Sequence, residues 1–140
     1  MRTLLSILAT LLAVTATRAL ESLLTQVSPQ HETELRQALA AWFRCAFSYR
    51  ALHMADGRRK IVHDLLIGTP DVCARLERGD TGALERFQRA GIDGMRSLDA
   101  ALARAAGGGE ISLRQAASHA VDRREVVKMI RQSARERNAR

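Results

Sequence analysis

The sequence predicts an α/β protein in which a few strands are followed by a small bundle of short helices. Three observations predict it. A continuous apolar run opens the chain, two strand-like runs face each other across an Asp-Gly turn, and a series of capped helical segments follows residue 69. Apolar content is 46% but aromatics are only 4%, so alanine and leucine must fill the core, which favours close helix packing over a sheet sandwich. With 140 residues and 26% charged side chains, the chain fits one domain with a core, and disorder is a poor description of most of it.

The opening run, Leu4 to Val14, admits two readings. Arg2, the apolar stretch and the small residues Val14 and Ala16 imitate a secretory signal peptide, and the stretch is too short to span a bilayer. The same LLSILATLL suits a strand covered on both faces, followed by a helix from about Thr15 to Gln26. Composition alone leans towards the signal peptide.

Ser28-Pro29 starts a long helix, with a capping hydroxyl and a proline where its missing N–H costs nothing. Leu35, Leu39, Trp42, Phe43 and Ala46 recur at helical spacing and form one apolar face. Residues 47–67 read as a hairpin whose turn, ADGRR at 55–59, holds Asp56-Gly57. Thr69-Pro70-Asp71 repeats the helix-start chemistry, and Gly79 ends that helix. A short helix with Leu84 and Phe87 stops at Gly91. Gly94-Met95 reads as a helix start whose methionine fills the core, and Ser97 caps the helix carrying Leu98, Ala101, Leu102 and Ala105. The glycines at 107–109 are a flexible break, and Ser112 with Gln115 has capping-box spacing. A last helix runs from about Asp122 into a basic end expected to fray.

Charge is concentrated in that end. The net charge is +7, and residues 123–140 carry seven basic side chains against Glu125 and Glu136. Such a segment attracts phosphates, acidic proteins or anionic lipid. The simplest expectation is a solvated helix end, because no aromatic is interleaved for base stacking, and nucleic acid is not an expected partner. Cys45 and Cys73 form no CxxC and have no histidine at ligand spacing, so a zinc site is not expected. Both are expected to be small buried side chains, and a disulfide between them would require an oxidising compartment. His63-Asp64 is the only adjacent acid–base pair. On a strand the two point to opposite faces and cannot serve one substrate atom. His31, His53 and His119 are isolated surface or capping residues.

Read together, GRRKIVHDLLIGTP at 57–70, RLERGD at 75–80, GMRSLDAAL at 94–102 and GEISLRQAASHA at 109–120 resemble the C-terminal half of PilT-like retraction ATPases, within the type II/IV secretion ATPase family. RQALAAWFRCAFSYRAL at 36–52 is similar to the family's long helix and following strand. ATLLAVTATRALESLL at 9–24 is similar to its histidine-box strand and helix. The resemblance implies the C-terminal portion of a RecA-like P-loop domain at 1–68, a helical subdomain at 69–121 and a basic C-terminal helix or tail at 122–140. It turns the opening run from a signal peptide into a strand. It implies a cytoplasmic location, at or near the inner membrane, and partners among ATPase rings, pilus-base proteins and inner-membrane machinery. It also implies an interface role for Arg18, Asp64, Pro70, Val72, Leu76, Gly94 and Met95.

The departures are equally plain. No GxxxxGK[ST] occurs in these residues, Leu12 stands at the box histidine, and Asp71, Val72, Cys73, Ala74 and Arg75 replace the retraction signature except for a conservative step at Val72. The expectation is a truncated or remnant motor subunit that neither hydrolyses ATP alone nor needs the ATP and magnesium of intact relatives. The competing expectation is a small secreted or periplasmic helical binding protein with a cleaved signal peptide.

Overall fold

The computed structural model describes residues 15–54 and 56–139. The expected strand at 4–12, and with it the signal-peptide alternative, lies outside the described residues. The order of elements is α1 (Ala16–Thr25), α2 (Pro29–Trp42), β1 (Cys45–His53), β2 (Arg59–Ile67), α3 (Pro70–Arg78), α4 (Gly82–Ala90), a 3-10 turn (Ile92–Gly94), α5 (Leu98–Gly107), α6 (Leu113–His119) and α7 (Arg123–Asn138). β1 and β2 form an antiparallel pair whose register runs from Cys45 opposite Ile67 to His53 opposite Arg59.

Local chemistry explains most boundaries. Thr15, Thr69, Ser97, Ser112 and Asp122 each accept a backbone N–H from the first turn of the helix they precede, satisfying donors that have no partner inside the helix. Ser112 and Gln115 form the full reciprocal capping box. Gly79 ends α3 at a φ of 72°, a left-handed conformation that only glycine adopts cheaply. Gly68 is required for another reason. A Cβ there would sit 2.4 Å from the Phe43 carbonyl oxygen, so the strand end and the α2–β1 joint approach closer than any side chain permits.

Because strand neighbours alternate faces, the hairpin has an inner side of Ala46, Ser48, Arg50 and Leu52 opposite Leu66, Asp64, Val62 and Lys60. Two hydrophobic clusters meet that side. Leu52 and Val62, near the turn, pack with Leu98, Leu102, Ile111, Ala116 and Val126 of the helices from α5 onwards. Leu66, near the open end, packs with Ala16, Leu20, Phe43, Val72, Leu76, Leu84 and Met95. Each fully buried leucine contributes about 2 kcal/mol. The hairpin is therefore the shared wall of both clusters. Polar ties bind the helices to it: Lys60 pairs with Glu110 at 2.7 Å, and the Gln115 side-chain amide donates to the His53 carbonyl at 2.8 Å.

Between the clusters lies a buried polar node. Asp64 has no exposed surface. Its carboxylate accepts from the Ala16 N–H at 2.8 Å, the Ser48 N–H at 3.0 Å, the Ser48 hydroxyl, and the Gln88 side-chain amide at 3.4 Å. Thr17, also fully buried, donates its hydroxyl to Gln88 Oε1 at 2.9 Å. One carboxylate thus joins α1, β1, β2 and α4.

Several expectations need correction. Trp42 is 64% exposed and α2 buries no residue; the apolar face foreseen there ends in Phe43, which caps the helix and turns inward. Cys45 is exposed and Cys73 only half-buried, and both are free thiols, since Cys45 lies on the outer strand face rather than on a helix. Gly94-Met95 does not start a helix. Met95 is buried as expected, but Arg96 then exchanges two backbone hydrogen bonds with Leu65, and the helix begins only after Ser97. The last helix falls where expected, as α7 capped by Asp122, with Val126 fully buried on it.

Replacing Asp64 with alanine takes away the acceptor of the Ala16 N–H, which has none inside α1. Urea denaturation is expected to register a loss of about 2–4 kcal/mol for Asp64→Ala, and a smaller loss for Ser48→Ala. A change under about 0.5 kcal/mol for Asp64→Ala would refute the role given to this node.

Candidate interaction site

The outer side of the hairpin is formed by Cys45, Phe47, Tyr49, Ala51 and His53 opposite Ile67, Leu65, His63, Ile61 and Arg59. Its centre is apolar and open: Phe47 is 62% exposed, Tyr49 60% and Ile61 60%. The alternation that turns Leu52, Val62, Asp64 and Leu66 inward obliges these residues to face out. Scattered exposed apolar residues are ordinary on a protein surface, but here aromatic and branched side chains stand together on one sheet face.

Of the seven residues expected at an interface, the structure spends four within the chain. Val72 and Leu76 have no exposed surface, Met95 is 3% exposed, and all three sit in the cluster around Leu66. Asp64 is the buried node described above. Arg18, Pro70 and Gly94 are exposed, on α1, at the start of α3 and in the 3-10 turn. They do not fall on the hairpin's outer side, so no single patch gathers the expected set. Phe47, Tyr49 and Ile61 were not singled out from sequence. The signal was present in the period-two alternation, which leaves one apolar side spare.

His63 is half-buried on the outer side and Asp64 is buried on the inner side, so they do not form an acid–base pair. No group of three metal-ligating side chains occurs among the described residues, and no helix of theirs is long and apolar enough to cross a membrane. The start of α3 does not suit a nucleotide phosphate either. At the strand-to-helix turn the Thr69 hydroxyl occupies the Val72 N–H, Pro70 has no N–H, and Asp71 puts negative charge in the first turn of α3.

This α/β arrangement is a fold found within solved ATPases. No family model matches the chain, and no curated protein matches it. Solved structures do match. Over 79% of this chain the fold superposes on the pilus retraction motor PilT, solved with bound ADP, with a TM-score of 0.71 and 17% identity. The match covers 31% of that chain. The ATPase DotB of Yersinia pseudotuberculosis matches 84% of this chain with a TM-score of 0.62 and 15% identity, over 29% of its own length. The Legionella pneumophila ATPase DotB matches 71% with a TM-score of 0.57 and 17% identity, over 28% of its length. The chain thus spans under a third of the solved chains it resembles, and the likeness at this identity is one of fold.

Lysines at two of the exposed positions should be harmless to the monomer. The double variant Phe47→Lys, Ile61→Lys is expected to melt within about 3 °C of the parent by circular dichroism. A fall of about 10 °C would mean that these side chains are buried in solution.

Proposed function

We infer that this chain works as part of a pilus or secretion motor ATPase, supplying packing and contact surfaces rather than ATP chemistry. What carries the reading is that two signals coincide. The fold superposes on a pilus retraction motor with a TM-score of 0.71, and the ordered run of motifs from 57 to 120 resembles the same family. The motifs lie on the elements that hold the fold together: β2 and the α3 cap, the α3 end at Gly79, the approach to α5, and the α6 capping box.

The chemistry expected of such a motor is missing from these residues. They contain no GxxxxGK[ST], and the helix start nearest in kind, at Thr69-Pro70-Asp71, is closed to phosphate. The role left for them is mechanical. The open apolar side of the hairpin, with Phe47, Tyr49 and Ile61, is the surface through which they would join an intact motor subunit.

The test is reconstitution with an intact motor ATPase from the same cell. The purified chain is expected to co-elute with that ATPase at about 10 μM and to change its turnover rate, while hydrolysing no ATP alone. The Phe47→Lys, Ile61→Lys variant is expected to lose co-elution while remaining folded. ATP turnover by the chain alone, or failure to associate with any such motor, would overturn the reading.

A further inference from the structure

The outer face of α7 carries a row of cations that a packing role in a motor does not use. Arg124, Lys128, Arg131 and Arg135 recur at intervals of four, three and four residues. At about 100° per residue they fall within about 60° of one another, and the row is about 16 Å long. All four are exposed, and with Arg123, Val127 and Gln132 they line one shallow depression.

The row is held in direction by the core. Val126 is fully buried on the opposite side of α7, with Met129 and Ile130 packed beside it against the same cluster. At the far end the Arg137 guanidinium donates to the Gly107 carbonyl at 2.7 Å, and at the near end Asp99 accepts the Val121 and Asp122 N–H groups at 2.8 and 2.9 Å. Little of the charge is neutralised internally. Glu125 stands 3.8 Å from Lys128, and Glu136 accepts from Gln132. Among the described residues no ion pair involves Arg124, Arg131 or Arg135.

The shape and chemistry of the row decide its partner. Three of its four cations are arginines, whose planar fork bonds phosphate oxygens in pairs. The apolar side of α7 is committed to the core, so contact is by charge and not by insertion. A nucleic-acid groove would touch the flanks of the helix as well as its ridge. Glu125 and Glu136 lie along one flank, about 100–120° round from Arg124, where a second phosphate strand would run. No aromatic follows Phe87 in the sequence to stack on bases, and the Gln132 amide is held by Glu136. A flat anionic surface meets only the ridge and leaves both glutamates in water. We propose that this face of α7 docks peripherally on an anionic bilayer, with Arg124, Lys128, Arg131 and Arg135 against the lipid phosphates.

Co-sedimentation of the full chain with phosphatidylcholine vesicles containing about 30 mol% phosphatidylglycerol tests this. Binding is expected at about 50 mM salt and largely lost at about 300 mM. Each basic residue strengthens partitioning about fivefold, so replacing all four with glutamine is expected to weaken it several hundredfold. The melting curve should be unchanged, because the four side chains are exposed. Equal binding to pure phosphatidylcholine, undiminished binding by the folded quadruple variant, or tighter binding to mixed-sequence duplex DNA at equal phosphate concentration would each overturn the proposal. The motor-association assay contains no lipid, so the two proposals fail separately.

Discussion

A carboxylate without exposed surface, Asp64 on β2, receives donors from α1, β1 and α4 at the point where the two hydrophobic clusters meet. A buried carboxylate is tolerable only when its oxygens are satisfied, and here all four bonds come from groups far away in sequence. Ala16 is the first residue of α1, so its N–H has no acceptor inside the helix, and Asp64 supplies one. The same carboxylate fixes β1 against β2 through Ser48. Gln88 passes the constraint to α4 and, through Thr17, back to α1. Placement of α1 and α4 on the hairpin thus depends on one acidic side chain as much as on Leu66 and Leu84.

From that node the architecture follows. The hairpin's inner side is a wall shared by two clusters, so the helices cannot rearrange on it independently. Its outer side is left apolar by the same alternation, so the exposed apolar patch is a by-product of the fold. α7 extends the cluster around Leu102 through Val126 and in doing so turns its basic side outward. Core, apolar patch and charged ridge therefore have fixed relative directions.

What the sequence made legible was local. Thr69-Pro70, Gly79, Ser97 and the Ser112–Gln115 box sit within a few residues of the N–H and C=O groups they satisfy, and their helices begin and end as expected. The hairpin was legible because Asp56-Gly57 separates two strand-like runs. The failures are non-local. Trp42 has the spacing of a core residue, but α2 ends there and the chain turns at Phe43. Gly94-Met95 looks like a helix start until Arg96 is drawn into a bridge with Leu65 on a distant strand. Asp64 was expected to have a structural or interface role, yet nothing nearby in sequence identifies Ala16 and Gln88 as its partners. A polar residue alternating with Val62 and Leu66 on the buried side was the one available sign. The last helix begins after Asp122 as expected, with its basic side chains exposed. Val126, Met129 and Ile130 recur on one side of it and suffice to pack it.

Native-state hydrogen exchange at Ala16 measures the node directly, because that amide donates to the Asp64 carboxylate. If that carboxylate fixes α1 and the hairpin together, the Ala16 amide exchanges only through global unfolding, with protection within about 1 kcal/mol of the most protected core amides. Rapid exchange of Ala16 at the rate of an ordinary frayed helix end, while β1 and β2 stay protected, would contradict it.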